Sequence, residues 1–268
     1  MGMDRKKWIQ LLACVLVMIL SAVAGHLAED WKKEVWNREN LEEQYAKHSE
    51  KEEQEKDSRM EGEAEDGGQN RKGITVMIDS GHGGYDPGKI SCVEGVLEKD
   101  INLAIAAKLK EQLEAQGFTA CMTRDKDIAL CGEDSTHKKR DDMAKRIAMI
   151  NESGADFCIS IHQNSFTQEN QKGAQVFYYS GSEEGKCLAQ HLQKSIKDTL
   201  KDGNRREAKD NNNYYLLMHT DCPTVIVECG FLSNVEETKL LMDEAYQQKI
   251  AESIRDGILQ YCADILFQ

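Results

Sequence analysis

From Gly73 to the C-terminus the apolar positions switch between two periods. Short, nearly continuous apolar runs occur at Ile74–Asp79, Phe118–Thr123, Asp156–His162, Ala174–Tyr179 and Thr224–Gly230, the pattern of strands buried on both faces. Between and after them apolar residues recur every three or four positions. These predict helices over Asp100–Gln116, Lys138–Asn151, Glu183–Lys201, Val235–Met242 and Tyr246–Leu266. In the first of these Ile101, Ala104, Ile105, Leu109 and Leu113 form the apolar stripe, and Gly117 stands where a helix C-cap belongs. Strands alternating with helices of this length predict an α/β fold, a single domain with a largely parallel, twisted sheet covered by helices on both faces.

The first 72 residues follow neither period. Arg5, Lys6 and Lys7 precede an uncharged run from Trp8 to Ala28, about twenty residues and long enough for the ~30 Å hydrocarbon core of a bilayer. A basic leading end stays in the cytoplasm, which puts the rest of the chain on the outer side of the cell membrane. Ala22-Val23-Ala24 offers a small-residue cleavage site, so a removed signal sequence and a secreted product is the alternative; the length of the run favours an uncleaved anchor. From Glu29 to Asn70 the chain carries fifteen acids against seven bases and too few apolar residues to offset its ordering entropy. It reads as a charged linker, in which Trp31, Val35, Trp36, Leu41 and Tyr45 are spaced for a short amphipathic stalk beside the membrane. The organisation is therefore an anchor or signal over 1–28, an acidic linker over 29–72 and a folded domain over 73–268.

The formal net charge of -13, without a Lys/Arg stripe, excludes nucleic acid as a natural partner. Nucleotide chemistry is also poorly supported: there is no GxxxxGK[ST], and Gly81-His82-Gly83-Gly84 places an imidazole where a phosphate loop needs bare backbone. Nine cysteines, an odd number with no CxxC pair, read as small hydrophobes within apolar runs, as at Cys121 and Cys158, rather than as a disulfide framework.

In parallel α/β sheets the chemistry gathers at the carboxyl ends of the strands. Here the first strand runs into His82, the third ends on His162, the last delivers Glu228 after Val225-Ile226-Val227, and Glu98 opens the first long helix. Taken singly, Glu98 reads as a carboxylate at a helix N-terminus and His162 as a hydrogen-bonded structural histidine. A carboxylate at Glu228 is costly to bury unpaired, and an imidazole in a glycine loop has little packing role. Two imidazoles and two carboxylates on one rim suit a catalytic zinc site, with three ligands and an open position for water. A further residue that carries a proton from that water to a leaving amine would complete an amide hydrolase. Gly83 and Gly84, lacking Cβ, are expected to let backbone pass close to the site. His26, His48, His137 and His191 lie in anchor, linker, loop and helix face and read as bystanders; His219 is left unassigned.

Asp79-Ser80-Gly81-His82-Gly83-Gly84, the helix start Leu97-Glu98-Lys99-Asp100, Ser160-Ile161-His162-Gln163-Asn164 and Val227-Glu228-Cys229-Gly230-Phe231-Leu232-Ser233-Asn234 resemble, in order and spacing, the zinc-dependent N-acetylmuramoyl-L-alanine amidases of bacterial cell walls. The resemblance spans residues 74–263. It implies that His82, Glu98 and His162 bind one zinc ion, that Glu228 is the catalytic acid and base, and that peptidoglycan is the substrate. Ser80 stands where the family often has Pro. The run Lys139-Arg140 and Arg146–Glu152, with Asn204-Arg205 ahead of Tyr214–Leu217, is similar to the sporulation branch. Members of that branch strip stem peptides so that cortex muramic-δ-lactam can form, and some work with a lipoprotein partner. A vegetative wall amidase, a zinc peptidase acting within the stem peptide and a non-catalytic wall-binding protein are the alternatives.

Overall fold

The computed structural model describes residues 73–265. The segments read above as anchor, stalk and linker, and the last three residues, lie outside the described residues. Among the described residues no helix is long and apolar enough to cross a membrane. The elements follow in the order β1 (Thr75–Ser80), α1 (Glu98–Ala115), β2 (Thr119–Met122), α2 (Lys138–Glu152), β3 (Phe157–Asn164), β4 (Gln175–Tyr178), α3 (Glu183–Leu200), β5 (Lys209–Asp210), α4 (Tyr215–His219), β6 (Thr224–Phe231), α5 (Val235–Met242) and α6 (Glu244–Ile265).

The six strands form one sheet in the order β2-β1-β3-β6-β4-β5. β1, β2, β3 and β6 are parallel, as the alternating pattern predicts. β4 is antiparallel to β6, with β5 parallel to β4, so the sheet is mixed and the expectation of a largely parallel one is corrected at this edge. The reason lies in the connection. A parallel return needs a crossover long enough to span the sheet, usually a helix, and the loop 165–174 between β3 and β4 contains none. The chain therefore turns at the rim and runs back.

Side chains alternate across the sheet and give each face its own cover. Val76, Ile78, Phe157, Ile159, Ile161, Val225 and Val227 belong to one buried cluster with Ile105 and Leu109 of α1, Leu188 and Leu192 of α3, and Ile254 and Ile258 of α6. Each such fully buried side chain contributes about 1.5–3 kcal/mol through removal from water. The opposite face presents Met77, Asp79, Cys158, Ser160, His162, Ile226 and Glu228 towards α2 and α4. These helices bring the buried Arg146, Ile147, Ile150, Leu216 and Leu217. His162 and Glu228 stand on this second, more polar face.

Side-chain caps account for three of the six described helix starts. Ser182 accepts from Gly185 N at 2.9 Å, Asn234 from Glu236 N and Glu237 N at 3.0 and 3.1 Å, and Asp243 from Tyr246 N at 2.8 Å. The last cap starts α6 two residues earlier than the periodicity alone indicates. Two elements escaped the pattern altogether: β5 is two polar residues at the sheet edge, and α4 is a five-residue helix, too short to display a period. None of the eight described cysteines is in a disulfide. Cys158, Cys229 and Cys262 are buried, Cys121 is half-buried, and Cys92 is exposed, so the reading as small hydrophobes holds for only part of the set.

Candidate active site

At the end of β1 the chain turns through Gly81 into His82, which has φ of 62° and so occupies the left-handed region that non-glycine residues avoid. Two arginines hold this turn by its carbonyls. Ser80 O accepts from Arg124 Nε at 2.9 Å and Arg146 Nη1 at 2.8 Å, Gly81 O from Arg124 Nη2 at 2.9 Å, and His82 O from Arg146 Nη2 at 2.5 Å. Arg146 is itself buried and pairs with Asp79 at 2.7 Å and Asp142 at 2.8 Å. Burial alone would raise the pKa of Asp79. The Arg146 charge, with hydroxyl donors from Ser160 and Thr123, outweighs it and brings the carboxyl down to about 2.

Glu98, the first residue of α1, projects into this rim and is only 2% exposed. Its Oε1 accepts from Gln163 N at 3.0 Å and lies 2.9 Å from His162 Nδ1; its Oε2 accepts from Lys89 N at 2.7 Å and lies 3.3 Å from His82 Nε2. Burial would raise its pKa too, but the two imidazoles hold it well below the usual carboxylate range. His82 Nδ1 meets Asp86 Oδ2 at 2.9 Å. Burial pushes that imidazole down, and Glu98 and Asp86 together push it up more. One donor atom from each of His82, Glu98 and His162 falls within 4.8 Å of the others. The structure thus brings the three predicted ligands together from three separate elements.

Two further glycines make room for this cluster. A Cβ at Gly81 would lie 2.3 Å from the His162 ring, and one at Gly88, which has φ of 69°, would lie 2.6 Å from Glu98 Oε2 and 2.7 Å from His82 Cδ2. At Gly83 and Gly84 a Cβ would instead strike the backbone of Ile128 and Ala129. Those two allow the loop to pack on its neighbour.

Glu228 is the register partner of His162 on the adjacent strand and is 8% exposed. Burial, reinforced by Glu98 and partly offset by His162, raises its pKa to about 7. Tyr214 Oη lies 3.4 Å from its Oε1, and its Oε2 has no hydrogen-bond partner. A cavity of about 280 Å³ opens on it, bounded by His82, His162, Tyr214, Met143, Leu216 and Ile226. A nucleophile held at the three donors would therefore have a proton acceptor beside it.

The family model described as N-acetylmuramoyl-L-alanine amidase matches residues 76–260. The chain belongs to this family. Over 192 residues it is 36% identical to the germination-specific N-acetylmuramoyl-L-alanine amidase of Bacillus subtilis (strain 168), covering 70% of this chain and 80% of that one. The solved CwlD amidase of Clostridioides difficile, in complex with the GerS lipoprotein, is similar with a TM-score of 0.69 and 40% identity, over 71% of this chain and 99% of that one. An N-acetylmuramoyl-L-alanine amidase of Clostridium difficile 630 gives a TM-score of 0.65 and 32% identity, over 72% and 98%. The chain is a cell-wall hydrolase of the amidase type.

Among the described residues the other histidines belong to other contacts, and His26 and His48 lie outside the described residues. His191 pairs with Asp264 at 3.0 Å, His219 stacks on Tyr215 with centroids 3.7 Å apart, and His137 precedes α2. Four residues that shape the site were missed in the sequence. Arg124 and Asp86 gave no signal without the loop geometry, and Tyr214 and Arg146 lie in runs noticed only for their similarity to a branch of the family.

Proposed function

We propose that this chain hydrolyses the amide between the lactyl group of N-acetylmuramic acid and the L-Ala of the stem peptide, using one zinc ion bound by His82, Glu98 and His162, with Glu228 as proton carrier. The observation that carries this reading is a two-imidazole, one-carboxylate donor set beside a separate buried carboxylate with an unpartnered oxygen. The set fits zinc, for which two His and one Glu leave a position for water. When bound, zinc lowers the pKa of a coordinated water to about 7 and polarises a carbonyl.

The chain's own groups do the rest. Asp86 accepts from His82 Nδ1–H, which sets the tautomer that leaves Nε2 unprotonated, beside Glu98 Oε2, as the donor atom for the metal. Backbone N–H groups of Lys89 and Gln163 fix the Glu98 carboxylate. Glu228 takes a proton from the attacking water and returns it to the L-Ala nitrogen as the C–N bond breaks. The stem peptide leaves with a free amino terminus.

Mass spectrometry of digested peptidoglycan tests the reading. Peptides with a free N-terminal Ala are the expected products. Cuts within the stem peptide would make the chain a peptidase, and no products would point to wall binding alone. His162→Ala should fold, lose most of its zinc by elemental analysis and yield no product; full zinc content in that variant would refute the ligand set.

Residues 8–28 are proposed to hold the protein on the outer face of the cytoplasmic membrane. It should then fractionate with membranes and resist a salt wash, whereas a soluble form beginning near Gly25 would mean signal cleavage. Similarity to the germination-specific amidase and to CwlD supports a role in spore-cortex muramic-δ-lactam formation, with a lipoprotein partner. Spores lacking the chain would then lack the lactam; an unchanged content would favour the vegetative wall.

A further inference from the structure

Between β5 and α4 the chain turns through Asn211-Asn212-Asn213. Asn211 N donates to Tyr178 O at 2.8 Å, and its side-chain Oδ1 accepts from Asn213 N at 2.7 Å and Tyr214 N at 2.9 Å. This Asx turn sets Tyr214 down at the edge of the cavity. The phenol ring stands edge-on to Phe177 of β4, with centroids 5.6 Å apart and planes at 89°. That packing would serve a phenylalanine equally well. The hydroxyl is therefore unexplained by the fold, and it faces Glu228 Oε1 at 3.4 Å. The separation is long for an O–H···O bond, and a shift of well under an ångström closes it; catalytic hydrogen bonds commonly tighten only once substrate is bound.

We propose that Tyr214 is a positioning residue for the hydrolysis: by donating to Glu228 Oε1 it sets the rotation of the carboxylate so that Oε2 is the oxygen presented to the attacking water. The proposal rests on the reading of Glu228 as the proton carrier. Glu228 needs such a constraint because it is buried and its Oε2 has nothing else to hold it. A freely turning carboxylate would present the wrong lone pair for much of the time. Burial, with the neighbouring Glu228 charge, raises Tyr214 to about 12, so the phenol remains a donor over the working range of the enzyme.

A double-mutant cycle on the zinc-loaded full chain tests this, with kcat, KM, zinc content and thermal midpoint measured for the parent, Tyr214→Phe, Glu228→Gln and the double variant. Tyr214→Phe should lower kcat by about 10- to 100-fold, the scale of a hydrogen bond to a charged group. KM, zinc content and midpoint should stay at parent values. Because Tyr214 acts through Glu228, the double variant should be no slower than Glu228→Gln alone. Parent kcat in Tyr214→Phe, or two losses that multiply in the double variant, would overturn the positioning role. Full turnover in Glu228→Gln would instead remove the reading on which it rests.

Discussion

Glu228→Gln is expected to cut turnover by about 10²–10⁴-fold while zinc content stays at the parent level, the usual scale for lost acid–base assistance. The substitution keeps the size of the side chain and its contact with Tyr214 but removes the ability to take a proton. Two features put Glu228 in this role and outside the ligand set. The three-donor cluster is complete without it, and a fourth protein ligand would close the position that water needs. Its pKa of about 7, produced chiefly by burial, also matches a group that must both accept and release a proton near neutrality. Zinc and turnover should be measured on one preparation. Loss of both together would make Glu228 a ligand; retention of both would place the base elsewhere.

The same residue gives the metal-free protein a pH-dependent stability with a definite sign. A carboxyl near 7 in the folded state and near 4.5 when unfolded binds more protons folded. Stability therefore falls as pH rises through that window, by about 3 kcal/mol in all. Metal-free Glu228→Gln should be more stable than the metal-free parent at pH 8 and nearly equal to it at pH 4, as judged by denaturant midpoints. Equal stabilities at pH 8 would mean that the carboxylate is solvated.

The candidate site was legible because parallel strands lead to one rim, and each of His82, His162 and Glu228 follows a strong apolar run that marks a strand. Glu98 was readable from the start of a well-formed amphipathic stripe. What the pattern could not carry was everything set by angle instead of period. The reversal of β4 depends on the absence of a helix in 165–174, which a strand-by-strand reading passes over. Gly83 and Gly84 do let backbone pass close, that of Ile128 and Ala129, whereas the glycines that accommodate the ligand side chains, Gly81 and Gly88, carried no signal because that approach is a property of the folded loop. Tyr214 lies on a turn just ahead of a short helix with no periodic signature, so its proximity to Glu228 exists only in three dimensions.

Arg146 is the clearest example, and Arg146→Met is expected to destabilise the fold by about 3–5 kcal/mol, lowering Tm by roughly 10 °C. In sequence it is one base within a helix. In the structure it is buried at 3% exposure and ties its own helix, through Asp142 one turn away, to a distant stretch of chain: Asp79 on β1 and the carbonyls of Ser80 and His82. Methionine fills the volume but leaves Asp79 buried with only its hydroxyl partners and leaves His82 O without its guanidinium donor. The pH dependence separates this mechanism from a packing defect. In the parent, Asp79 at about 2 against 3.8 unfolded contributes about 2 kcal/mol above pH 4, lost as pH falls through 2. In the variant the unpaired buried carboxyl moves above 3.8, so acidification stabilises it through protonation, and the gap between the two proteins should narrow as pH falls. Adding Asp79→Asn to Arg146→Met removes the orphaned charge and should recover part of the loss. A gap that stays constant with pH, together with no recovery in the double variant, would show that Arg146 acts by filling space and not as the charge that holds β1 and the His82 turn together.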